Sequence, residues 1–252
     1  MTQKDDRNDA AVAETIGFIY IFAIVILSMS LIYVMGYPML QSSMDESIFE
    51  SAEQSFIVIQ SDMKMVAFDQ VPVKSLQIQL QGATISVTKN SNITIEYLDG
   101  TLQNVVTGEG EIEYQKNDKY LTYENGGVWK RYPDGSIMVS SPRIYNSTYV
   151  EGTTITNITT IGVVSIQGGS SVGGKGIVTF SMKYNESIIK TPNHTVDVTL
   201  RINSTYAPEW KNYLESRGFD IDTANSTDSS LIAWRNNTML VVGRHLVDVD
   251  IT

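Results

Sequence analysis

Two periods divide this chain. From Thr15 to Met44 no side chain carries a formal charge, and Ile16 to Met35 is apolar on every side of a helix. An α-helix rises about 1.5 Å per residue, so roughly twenty such residues cross a hydrocarbon core of about 30 Å. Residues 12–40 are therefore read as a transmembrane helix. A secretory signal core is shorter, about 7–15 residues, and ends at small residues; here Gly36-Tyr-Pro38 follows instead. Pro38 lacks a backbone donor and is a candidate kink. The apolar positions then narrow to one stripe. Ile48, Ala52, Phe56, Ile59, Met63 and Val66 recur at spacings of three and four, which predicts a stem helix over 41–70.

From Val73 the period falls to two. Leu76–Leu80, Thr84–Thr88 and Ile93–Tyr97 alternate as strands do. Further strands are expected near Lys119–Tyr123, Ser136–Ser140, Thr153–Ile166, Gly176–Met182, Val196–Ile202, Leu231–Trp234, Met239–Val242 and Leu246–Ile251. Turn signals separate them at Asp99-Gly100, Asn125-Gly126, Pro133-Asp134-Gly135 and Asn236-Asn237. One helix interrupts them, from Pro208 to Arg217, with Gly218 as its stop. The fold class expected is α+β: an N-terminal transmembrane and stem helix, then a mainly antiparallel β-sandwich-like domain over 71–252 with one short helix.

Charge sets the orientation. Lys4 and Arg7 precede the span, and no Lys or Arg follows it until Lys64. The positive-inside rule puts residues 1–11, a polar leader, in the cytoplasm and the C-terminal domain outside the cell. The balance of 18 basic and 28 acidic side chains, net −10, disfavours nucleic acid, which needs a basic stripe. Cysteine is absent, which excludes disulfides and thiolate chemistry. Eight asparagines open an N-x-S/T triplet: Asn92, Asn146, Asn157, Asn185, Asn193, Asn203, Asn225 and Asn236. All lie in the β region, which suits glycosylation of an extracellular surface, although a Thr- and Asn-rich β surface also generates such triplets by accident.

No catalytic constellation emerges, and the chain is read as a non-enzyme with no cofactor and no metal. Gly169-Ser-Ser-Val-Gly-Gly-Lys-Gly176 approaches a phosphate-binding loop, but Gly176 stands where Ser or Thr would hold Mg²⁺ and a strand follows. A Gly-rich turn is expected there. His194 and His245 have no ligand-type neighbour at metal spacing. Asp248 and Asp250 alternate with apolar residues on a terminal strand. Trp210, Tyr213 and Leu214 share one face of the short helix, where core packing is expected ahead of a sugar platform.

The stretch Ala11-Val-Ala-Glu-Thr-Ile-Gly17, followed at once by the apolar run, resembles the N-terminal segment of archaeal type IV pilins and archaellins. Gly36-Tyr-Pro38, Val66-Ala-Phe68, Tyr123-Glu-Asn-Gly-Gly-Val-Trp129, Ser136-Ile-Met-Val-Ser140 and the Gly169–Gly176 run look like an uncharacterised family of archaeal pilin-like surface proteins. The resemblance implies a prepilin peptidase that cuts between Ala11 and Val12. It implies a motif of Glu14, Ile16 and Gly17, and partners that are the membrane, further copies or other pilin subunits. One departure stands out: the family's cut follows Lys or Arg and then Gly or Ala, whereas Ala10-Ala11 occupies that place here. A lone carboxylate in hydrocarbon costs several kcal/mol unless paired or protonated. Glu14 would either meet a neighbour's free amine or sit at headgroup level. The expected function is a pilin-like surface protein, anchored in the cell membrane or assembled into a filament. The alternative is a permanently anchored binding or adhesion module, and a surface hydrolase is the third class.

Overall fold

The computed structural model describes the backbone of residues 5–252 and the side chains of residues 14–252, Thr154 excepted. The chain forms two compact units, Met1–Ile48 and Phe49–Thr252. Helix α1, Asp5–Ala67, contributes to both. Pro38 lies inside it, so the change near residue 40 is one of composition and not of secondary structure.

From Ile16 to Leu40, in the first unit, the helix is apolar and mostly exposed. Phe18 stacks on Phe22 and Tyr33 on Tyr37, both pairs at the i, i+4 spacing of one helix face. In the second unit the helix is amphipathic. Phe49, Ala52, Phe56, Ile59, Met63 and Val66 are buried, while Ile57 and Val58 face outward. The last turn closes with Phe68 N–H donating to Lys64 C=O and Val71 N–H donating to Met65 C=O. Gln70 then takes a φ of 56°, and Pro72 commits the chain to an extended path.

β1 (Val73–Gln79) comes first, and a meander follows it: β2 (Ala83–Asp99), β3 (Leu102–Lys116), β4 (Lys119–Glu124), β5 (Gly127–Tyr132) and β6 (Gly135–Ser140). The β4–β5 turn is Asn125-Gly126 with φ of 48° and 85°, the double positive angle that a type I′ hairpin demands. A second hairpin pairs β7 (Arg143–Glu151) with β8 (Thr154–Gln167). Then come β9 (Ser171–Gly174), β10 (Ile177–Lys190), β11 (Thr195–Asn203), α2 (Ala207–Ser216), β12 (Asp220–Ile221) and β13 (Ser230–Ile251).

The sheet has thirteen strands, with the main order β1-β10-β13-β11-β2-β3-β4-β5-β6. Its pairings are antiparallel except β8 with β13, which run parallel from Thr238↔Asn157 to Asp248↔Gln167. The architecture is the expected α+β one: a long apolar helix, then a mainly antiparallel sheet with one short helix.

Long strands serve two partners in series. β13 pairs with β11 over Ser230–Met239 and with β10 over Val242–Ile251. Two hydrophobic cores result. Phe49–Ala67 fills the first, with β1, β10 and the ends of β8 and β13; α2 fills the second, with β11 and the start of β13.

Several details differ from expectation. Asn236-Asn237 is no turn: β13 runs through it as one strand where three were expected. Asn237, at φ 49°, lies where the register with β11 shifts, and its N–H donates to the Asp197 carboxylate at 2.8 Å. The positive-φ residue thus builds a bulge. The Gly-rich run contains a strand, β9, paired with Ala83–Ser86 of β2. β3, β5 and β7 were not foreseen. In β3, Gly108 and Gly110 lie where the strand presses on β8. A Cβ at Gly108 would lie 1.9 Å from Val163 Cγ1, and one at Gly110 2.7 Å from the Ile166 carbonyl.

Candidate functional site: the exposed apolar helix and the outward polar features

Among the described residues, one helix is long and apolar enough to cross a membrane, and none of its most apolar window is buried. Phe18, Leu27, Ile32, Tyr33, Val34 and Met35 are each about two-thirds or more exposed. Such a surface calls for a cover of lipid or protein, because each large apolar side chain left hydrated forgoes roughly 1.5–3 kcal/mol. The helix is therefore compatible with a membrane anchor. Glu14 and Ile16 are exposed, and a Cβ at Gly17 would meet nothing within 4 Å. The expected cut between Ala11 and Val12 falls within α1, where the backbone is described and the side chains are not.

The eight sequon asparagines scatter over the β domain and differ in freedom. Asn193 is exposed between β10 and β11, with only its Oδ1 engaged, 3.0 Å from His194 Nδ1. Asn225 and Asn185 are exposed, but their amide nitrogens donate to Asp222 and Asp248. Asn92 and Asn203 are cross-strand partners, with Asn203 Nδ2 donating to Asn92 Oδ1 at 3.1 Å. Asn146 donates to the Arg217 carbonyl, and its Oδ1 is buried without a partner. Asn157 and Asn236 carry buried threonines two residues on; Thr159 and Thr238 bond to each other at 2.8 Å.

The interior holds a polar cluster that the sequence did not reveal. Glu124, at the end of β4, is fully buried. Its Oε1 accepts from Ser204 Oγ at 2.5 Å and from Trp210 Nε1 at 2.6 Å, while Oε2 has no partner. Burial pushes its carboxyl up to about 7, against the hydrogen bonds from Ser204 and Trp210. Trp129 lies beside it, between Tyr206 and Trp210 with ring centroids 5.8 and 4.9 Å away. The aromatic face of α2 is thus core packing, as expected. Tyr213 completes it by donating to the Pro142 or Ile144 carbonyl.

His194 is exposed, 3.7 Å from Asp99. His245 is buried against Phe68 at 4.3 Å, with Nδ1 2.8 Å from Ser187 Oγ, and burial lowers its pKa. No group of three or more His, Asp or Glu side chains able to hold a metal occurs among the described residues.

An uncharacterized protein of Archaeoglobus fulgidus is 27% identical over 229 residues, covering 73% of this chain and 74% of its own length. No solved structure matches. The matches name an uncharacterised group with an archaeal member, and no pilin family is among them. The model described as "Family of unknown function (DUF7289)" matches residues 10–250, so the chain belongs to that family.

Proposed function

We propose that this chain is a pilin-like, non-enzymatic surface protein, held at the cell membrane by the apolar half of α1, with its β domain outside. The observation that carries the reading is the uncharged run Thr15–Met44, exposed along its length, with basic residues only on its N-terminal side for the next nineteen positions to Met63. An all-round apolar surface suits lipid. It equally suits packing among copies of the same helix, since either keeps the apolar faces dry. The Ala11–Gly17 resemblance supports the second use.

The experiment is N-terminal mapping by mass spectrometry on protein separated into filament and membrane fractions. A chain beginning at Val12 and recovered in sheared filaments is the expected result. Recovery as a soluble cytoplasmic protein would end the anchor reading altogether. A permanently anchored binding module is the second reading, favoured by Ala10-Ala11 in place of the basic-then-small pair before the cut. An intact Met1 start, with release only by detergent, would decide for it.

Glycans follow from the same exterior placement. Glycopeptide mapping is expected to find Asn193 occupied more than Asn146, because Asn193 is exposed with its amide nitrogen unengaged, whereas Asn146 is half-buried with its Nδ2 held against the Arg217 carbonyl. Higher occupancy at Asn146 would contradict the folded surface.

A further inference from the structure

A half-open cleft of about 410 Å³ lies where β3 crosses the face of β8, β13 and β10. We propose that it binds a small organic oxyanion, a carboxylated or phosphorylated molecule of about sugar size. Volumes of this order are those of ligand pockets. The proposal stands on the cleft alone and does not depend on how the chain is anchored.

The walls come from register. Arg244 of β13 is paired with Ile188 of β10 and with Val163 of β8, so these side chains share one face. Ser165, two residues beyond Val163, lies on that face too. Val105, Val106, Thr107 and Glu109 of β3 form the opposite wall. That wall is fixed by Gly108 and Gly110, whose missing side chains let β3 approach β8. Ser165 Oγ also pins it, 3.3 Å from the Glu109 N–H and 3.4 Å from its carbonyl.

The charges of the cleft are Arg244, Lys190 and Glu109. Glu109 is answered by Lys89, 2.9 Å away on the rim. Lys190 reaches only the neutral Asn104 Oδ1, at 3.4 Å. Arg244 has no carboxylate partner among the described residues, and its Nε is buried without a hydrogen bond. A half-buried guanidinium without a counter-ion is unusual in a chain of net charge −10. Its planar fork matches a carboxylate or phosphate. Val105 and Ile188, each about half exposed, offer apolar contact to the body of the ligand.

The test is calorimetric titration of the purified full chain, in a polyoxyethylene detergent at low salt, with glucuronate, glucose 6-phosphate and glucose. One or both anions should bind, and glucose should not. The tighter anion identifies the headgroup as carboxylate or phosphate. Arg244→Gln should weaken binding by roughly tenfold or more, and Lys190→Gln by several-fold. Arg201→Gln, at an exposed pair with Glu96, should change nothing. Lys190 stands at the rim, so its variant still reads the site if Arg244→Gln does not fold. Failure of both anions to bind the native chain would overturn the proposal, as would undiminished binding to a folded Lys190→Gln or Arg244→Gln chain.

Discussion

Phe56→Ala is expected to destabilise the β domain by about 3–5 kcal/mol, the range for removing a fully buried aromatic ring from a packed core. Phe56 has no exposed surface. Its ring meets Tyr114 edge-on with centroids 6.4 Å apart. Tyr114 in turn donates to the Leu80 carbonyl at 3.2 Å, so the space cannot close by letting Tyr114 swing in without losing that bond. Denaturant unfolding followed by tryptophan fluorescence would read the loss, with Ile57→Ala, a partly exposed neighbour on the same helix, as the comparison. Ile57→Ala should cost far less. Near-equal effects would mean that the helix does not seal the first core.

The same packing sets the smallest piece that folds. The compact unit begins at Phe49, because Phe49, Phe56, Ile59, Met63 and Val66 belong to the first core. A chain beginning at Val71 would present β1, β10 and the end of β13 with their apolar faces bare. The segment that follows the apolar run thereby completes the domain.

Much of this was legible. The stripe from Ile48 to Val66 named six positions, and five of them, Ala52, Phe56, Ile59, Met63 and Val66, are buried. The Asn-Gly and Pro-Asp-Gly signals fall at hairpin turns because positive φ has few other uses in a short sequence window. Asn236-Asn237 misled for the same reason: a bulge needs the same backbone angle as a turn. The cleft was not legible. Glu109, Ser165, Lys190 and Arg244 are far apart in sequence and meet because β3 crosses β8, a contact that depends on Gly108 and Gly110. Glu124 was hidden by its neighbours. Tyr-Glu-Asn-Gly reads as an exposed turn, and only α2, arriving some eighty residues later, buries the carboxylate.

The stability of the β domain is expected to fall as pH rises from about 4.5 to about 7, with Glu124 as a principal cause. An ordinary glutamate titrates near 4.5, and burial pushes Glu124 up to about 7. Between those values the folded chain holds a proton that the unfolded chain has released. Unfolding is then penalised at low pH, and the contribution is full below 4.5, declines through the window and is gone above 7. At about 1.4 kcal/mol per unit the span is on the order of 3 kcal/mol. His245 acts in the opposite direction, since its lowered pKa takes stability away as pH falls below its ordinary value. The difference between the native curve and that of Glu124→Gln removes His245 from the comparison. Glutamine keeps an oxygen for Ser204 and Trp210 and cannot ionise, so its chain should lose the decline due to Glu124, keep the opposite slope due to His245, and be more stable than the native chain at pH 8. Glu124→Ala should be less stable at every pH, because it leaves the Ser204 and Trp210 donors buried without an acceptor. Thermal melts at half-unit steps from pH 4 to 8 would separate the three chains. Parallel native and Glu124→Gln curves would show that the buried carboxyl does not change charge in that range.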